Sequence, residues 1–407
     1  MPAHETSPRA VALATVAALV AVAACQPDPP PDACSGEPVS WGPGDMQGSL
    51  LRCEVVPELC GLPVESTINE PDLRRAIDLV FVGDGYTAAT LPRYRERVDE
   101  LVAGLVADGD GIVGRDPRLF NFHRVDVRSP GTAPGSRALR SCVAGPPDAL
   151  WLSMDDARAL RAAANAPDVD LVLGLVLGTP GRGHAGGDPS FGPGVVVLNH
   201  GDSHRVFTHE MGHALVGLAD EYVEFDDTHY MATSYERWTM DPLPPNLSLS
   251  ADESWGGLVS GTVEGGGRFA RGVYRPTRSC RMSDSRSEEV SFCPVCAAAI
   301  QGMLAGRRGI ADGRPRCGLA LGHPDERGHR RLLTFGRDEN GLRSLALEVD
   351  GEVWIPQGFV ASRAADAAYA PVFLEVGASV AGSAREATVT CVDSQGEHVR
   401  TTMSLTR

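Results

Sequence analysis

The chain has 407 residues, 43% of them hydrophobic and 22% charged, which suits two or three domains with buried cores and excludes a wholly disordered chain. Thirty-seven basic against fifty-three acidic residues give a net charge of −16, the wrong sign for a nucleic-acid binder. Every basic residue is Arg, and the absence of Lys excludes a Walker A phosphate loop and lysine Schiff-base chemistry.

At the N terminus Arg9 precedes an apolar run, Ala10 to Ala24, interrupted only by Thr15. It is too short to span a bilayer and has the size of a signal-peptide core, so residues 1–24 are expected to direct export. The run ends Val22-Ala23-Ala24-Cys25, which resembles a bacterial lipobox. That implies cleavage before Cys25, a lipid on its thiol and a cell-envelope lipoprotein touching the membrane only through that lipid. Ordinary secretion with cleavage after an Ala is the alternative. Gln26 to Pro31 reads as a stiff tether, and residues 25–70 as that tether followed by a Cys-rich segment. Export favours disulfides among the other nine of the ten cysteines, and their odd number leaves at least one unbridged.

From Ala76 the pattern becomes regular. Ile77 to Val82 predicts a buried strand, followed by the turn Gly83-Asp84-Gly85. Leu91, Tyr94, Val98, Leu101 and Leu105 recur at helical spacing and predict an amphipathic helix over 90–107. Phe120 to Val127 alternates as a strand, and Ser153 with Asp156 reads as a capping box opening a helix through Ala164. Leu171 to Leu177 predicts a central strand covered on both faces. The Gly-rich stretch 181–194 reads as a surface loop, Val195 to Leu198 as a short edge strand able to pair with an extended substrate, and Ser203 as the cap of a helix through about Val216. Strands and helices in this alternation imply an α/β layer. Beyond residue 331, short strands at 345–349, 353–355, 372–376, 387–392 and 399–405 predict a C-terminal β-sandwich.

The most informative stretch is His209-Glu210-Met211-Gly212-His213, continuing to Leu218-Ala219-Asp220-Glu221-Tyr222. On a helix, positions i and i+4 share a face, so His209 and His213 can reach one ion, and two imidazoles suit Zn²⁺. Glu210, next to the first ligand, is placed to act as base on a water. A catalytic zinc takes three protein ligands and keeps one position open. Gly217 is expected to end the helix and turn the chain back. The order of helix, glycine and acid resembles the metzincin pattern, which implies Asp220, three residues after the glycine, as the third ligand, with Glu221 its rival. The carboxylate left over is a candidate partner for a ligand His.

This stretch resembles the IgA peptidase M64 family of bacterial metallopeptidases, whose members carry a similar His-Glu-x-Gly-His followed by Leu-Ala-Asp-Glu-Tyr. Val80 to Tyr86, Phe120-Asn121-Phe122, Gly272 to Pro276, Cys280-Arg281-Met282 and Phe292 to Cys296 add to the resemblance, which covers roughly residues 75–305. It implies His209 and His213 as ligands and Glu210 as general base. Met282 is then a candidate apolar floor beneath the metal, like the Met-turn of metzincins. Tyr222 and Tyr274 are candidate phenols for the oxyanion, with Tyr274 assigned beside Glu210 as catalytic. Cys293-Pro294-Val295-Cys296 lacks two further zinc ligands at suitable spacing, so a bridge from Cys280 to one of the pair is expected.

The expectation is therefore an α/β (α+β), metzincin-like zinc peptidase domain over 71–330 with a β-sandwich over 331–407. It acts as an exported monomeric endopeptidase on protein or peptide substrates, with Zn²⁺ on His209, His213 and Asp220. The alternative is a surface-binding lipoprotein whose metallohydrolase domain is inactive or acts on something other than peptides; an intact Glu210 counts against decay.

Overall fold

The computed structural model describes residues 49–50, 57–72, 75–144, 150–179, 181–186, 194–229, 243–287, 289–308, 316–321, 329–337, 342–349, 352–354, 372–379, 386–393, 396 and 398–404. The expected signal, Cys25 and the proline tether lie outside them. No helix among the described residues is long and apolar enough to cross a membrane.

A six-stranded sheet organises the first part. In chain order its strands and neighbouring helices are β1 (Val64–Thr67), β2 (Ile77–Asp84), α1 (Leu91–Ala107), β3 (Phe120–Val125), α2 (Asp156–Ala163), β4 (Leu171–Val176), β5 (His184–Gly186), β6 (Gly194–Asn199) and α3 (His204–Val216). The spatial order is β1-β3-β2-β4-β6-β5. The inner pairs β3/β2, β2/β4 and β4/β6 are parallel; the edges β1 and β5 are antiparallel.

Strand alternation splits the apolar side chains between two cores. Leu79, Phe81, Leu171, Leu173, Leu175, Val196 and Leu198 face one way, onto α1, α3 and α4 (Pro294–Arg308). Val80, Val82, Val172, Val176, Val195 and Val197 face the other way, onto α2 and Met154. Both faces are covered, so the strands read as unbroken apolar runs. Each such side chain contributes about 1.5–3 kcal/mol on full burial. Helix α1 buries the five residues picked out by its spacing, Leu91, Tyr94, Val98, Leu101 and Leu105.

Three local expectations need correction. The cap of α2 is Asp155, whose side chain accepts from Arg158 N–H; Ser153 instead lies in a short strand. Ser203 does stand at the N-cap of α3, but its hydroxyl makes no capping bond, and its backbone carbonyl takes the Val206 and Phe207 N–H groups. The stretch 195–198 is not an edge, because β6 pairs on its outer side with β5. The edge belongs to His184–Gly186, within the Gly-rich stretch expected as a loop.

After α3 the chain forms β7 (Val223–His229), β8 (Val263–Gly266) and β9 (Arg268–Arg275), a three-stranded sheet of order β7-β9-β8. Two four-stranded sheets follow. One joins 316–321, 329–337 and 372–379 with Ser49–Leu50; the other joins 342–349, 352–354, 386–393 and 398–404. Leu319 and Leu332 from the first share a core with Leu345, Leu347 and Val389 from the second, and the Cys317–Cys391 disulfide links the two.

Candidate metal centre

Helix α3 presents His209 and His213 one turn apart, on the edge side of the main sheet. It stops at Gly217, whose φ of +70° is left-handed and costs a glycine little. The Gly217 N–H bonds back to His213 O, and Leu218 N–H to Gly212 O. This turn redirects the chain so that Asp220 faces the two rings.

The result is a triangle of ligand atoms. His209 Nε2 and His213 Nε2 are 3.2 Å apart. Asp220 Oδ1 lies 3.2 Å from each of them. A tetrahedral zinc ion with ligand bonds of ~2.0–2.1 Å separates its ligand atoms by about 3.3 Å, so the triangle has the size such an ion requires. Asp220 Oδ1 is buried and accepts no hydrogen bond, as an atom reserved for a cation would be.

Both rings are oriented from behind. His209 Nδ1 lies 2.9 Å from Arg281 O, and His213 Nδ1 lies 2.6 Å from Leu218 O. Each Nδ1–H thus donates to a backbone carbonyl, leaving the Nε2 lone pair turned into the triangle. Without an ion the groups hold one another by charge. Burial opposes a charge on His213, yet the Asp220 carboxylate and Glu210 push it up to about 9. Burial likewise opposes ionised Asp220, but the two imidazoles hold it far below the usual carboxylate range. A cation in the triangle would supply the positive charge that the imidazoles otherwise provide.

Glu210, 8% exposed, stands beside the rings. Burial raises its pKa; the neighbouring imidazoles and the Ala185 N–H of edge strand β5 work in the opposite direction. Met282 is fully buried against Gly212, where a Cβ would come within 3.0 Å of its sulfur, and its carbonyl accepts the Glu221 N–H at 2.8 Å. Met282 therefore packs directly against the ligand helix.

The two carboxylates after Gly217 separate. Asp220 enters the triangle; Glu221, fully buried, turns to Asn246 and Cys296. Asn246, which carries no sequence signal, accepts from Ala219 N–H and donates to Ala219 O and Glu221 Oε1. Burial, and after it the Asp220 carboxylate, raise the pKa of the Tyr222 phenol. Tyr274 lies on β9, its backbone paired with Ser248, and among the described residues its hydroxyl has no hydrogen bond to the triangle. His200 bonds to the Tyr86 hydroxyl, and the His184 ring packs on Trp151. The expected bridge from Cys280 is absent: Cys280, Cys293 and Cys296 are three separate buried thiols.

Residues 68–263 match the family model described as IgA Peptidase M64. Among curated proteins the chain has no match.

Proposed function

We propose, on the premise that the stretch 68–263 belongs to the IgA peptidase M64 family, that this chain is a zinc-dependent endopeptidase acting on protein or peptide substrates. The observation that carries the reading is the 3.2 Å triangle of His209, His213 and Asp220, with Glu210 beside it. Bound there, Zn²⁺ supplies a Lewis acid that polarises a carbonyl and acidifies a water. The chain's own residues do the rest. His209, His213 and Asp220 hold the cation, their orientation fixed by the Arg281 and Leu218 carbonyls. Side chains of His213 and Asp220 are 22% and 18% exposed, so the triangle opens toward solvent on their side. Glu210, made more basic by burial, takes the proton of the attacking water and returns it to the leaving amine. Of the two candidate phenols, Tyr222 is the better placed, since it faces Asp220.

The metzincin-like catalytic domain ends with α4, and the two C-terminal sheets, which take in the strands 316–321 and 329–337 across the expected boundary at 330/331, form an accessory sandwich. Export and a lipid on Cys25 complete the reading of a monomeric envelope peptidase.

The test is a peptide library incubated with the zinc-loaded full chain and scored by mass spectrometry. Cleavage is expected, and Glu210→Gln should lower its rate by about 10²–10⁴-fold while keeping its metal. Undiminished cleavage by that variant would refute the assigned base. Hydrolysis of cell-wall amides with no peptide cleaved would replace the substrate class.

A further inference from the structure

Directly after Asp220, the next side chain points into a second cluster. The ligand atoms of Glu221, Cys280, Cys293 and Cys296 all lie within 4.8 Å of one another, and all four residues are buried. We propose that these four side chains hold a second divalent cation, a structural Zn²⁺, distinct from the ion of the His triangle.

The distances have the right size. Cys280 Sγ and Cys296 Sγ are 3.7 Å apart, and Glu221 Oε1 lies 3.2 Å from Cys296 Sγ and 3.8 Å from Cys293 Sγ. A tetrahedral zinc with Zn–S of ~2.3 Å and Zn–O of ~2.0 Å separates two sulfurs by about 3.8 Å and a sulfur from an oxygen by about 3.5 Å. The backbone is arranged for thiolates as well. Cys293 N–H points at Cys280 Sγ at 3.3 Å, and Cys296 N–H at Cys293 Sγ at 3.5 Å. Such donors favour the charged sulfur. Asn246 Nδ2 donates to Glu221 Oε1 at 3.0 Å and steadies the carboxylate from outside.

An independent observation points the same way. Glu221 is fully buried, yet its Oε2 has no hydrogen-bond partner. A buried carboxylate with one oxygen, Oε1, against the Cys293 and Cys296 sulfurs and the other, Oε2, without any partner is an unfavourable arrangement unless a cation joins it. A disulfide between any two of the cysteines would leave the third thiol and that oxygen unsatisfied. Three soft sulfurs and one oxygen in a closed shell are a structural zinc set, with no position left for substrate. The thiols release their protons to solvent as the ion binds.

The sequence conceals this site because the fourth ligand lies far from the cysteines, next to a ligand of the other ion. Its position gives it a purpose. Cys280 is followed by Arg281, whose carbonyl orients His209, and by Met282, which packs on Gly212 and takes the Glu221 N–H. Glu221 follows Asp220 directly. One cation at the cysteines therefore fixes both segments that shape the His triangle.

The inference does not depend on peptidase activity, and the test keeps the two apart. Full chain purified in the presence of Zn²⁺ should carry two equivalents of zinc by elemental analysis. His209→Ala/His213→Ala should keep one, and its Co²⁺-loaded form should show a thiolate-to-cobalt charge-transfer band. That band should disappear when Glu221→Gln, Cys293→Ser and Cys296→Ser are added. A His variant with no zinc, a Co²⁺ form without the band, or a mass-mapped disulfide from Cys280 overturns the proposal. A wild-type chain with one equivalent that the His variant retains supports it and counts against the ion of the His triangle instead. If the cysteine variants fail to fold, the His variant's zinc count and cobalt spectrum still decide.

Discussion

Gly212 sets how closely the ligand helix approaches the segment behind it. A Cβ at this position would lie 3.0 Å from the Met282 sulfur and 3.4 Å from Leu218 Cδ1, so the residue between the two histidines leaves no room for a branched side chain. Gly212→Val should lower stability by about 1–3 kcal/mol through overpacking. It should also weaken zinc binding, because Met282 is flanked by the residue that orients His209. Urea denaturation and chelator competition measure the two effects; unchanged values in both would show that Met282 is free to move. At this scale His209 and His213 were legible because one helical turn puts them on a common face, and Glu210 because it follows the first of them directly. Asp220 and Glu221 were not separable, since both follow the same left-handed turn. The choice is made by Asn246 and by cysteines some sixty to seventy-five residues further on, which no local pattern links to position 221. Tyr222 and Tyr274 were both offered by the resemblance; Tyr274 pairs through its backbone with Ser248, and the Asp220 carboxylate acts on the phenol of Tyr222.

Among the elements, β2 ends in a buried carboxylate that holds the loops at the carboxyl end of the sheet. Asp84 accepts from Gly85 N–H, Leu139 N–H, Ser141 N–H and the Ser129 hydroxyl. Asp84→Ala would strip these buried donors of their acceptor, and the expected loss is about 3 kcal/mol or more of unfolding free energy. A loss under about 1 kcal/mol by chemical denaturation would mean that water replaces the carboxylate. Elements were legible where one period dominates, as in α1, whose five buried residues follow helical spacing alone. The edge strand β5 was illegible because three residues, His184, Ala185 and Gly186, carry no alternation of their own. Pairing with Val197, Val196 and Val195 makes them a strand. The cap of α2 was misplaced by two residues because Ser153, Asp155 and Asp156 all offer a capping oxygen, and only the geometry selects Asp155.

Across the whole molecule, the two C-terminal sheets are joined covalently as well as by packing. The Cys317–Cys391 disulfide spans 74 residues of sequence. Closing so long a loop contributes about 2–5 kcal/mol by restricting the unfolded chain. Cys317→Ser/Cys391→Ser should therefore lower the unfolding midpoint of these sheets, while peptide hydrolysis per folded molecule stays at the wild-type level. A parallel loss of hydrolysis would show that the sheets support the catalytic centre directly. Short strands after residue 342 were visible through their apolar alternation and Gly turns. The strands 316–321 and 329–337 were missed because Gly318 and the Arg330-Arg331 pair break that signal, although both strands belong to the same set. At every scale the proposed function rests on one ion in the His209–His213–Asp220 triangle. Crystals grown with Zn²⁺ and measured at the zinc absorption edge test this directly. The account requires an anomalous peak ~2.0–2.1 Å from His209 Nε2, His213 Nε2 and Asp220 Oδ1 together. No peak at that point, or a fourth side chain closing the open position, would contradict it.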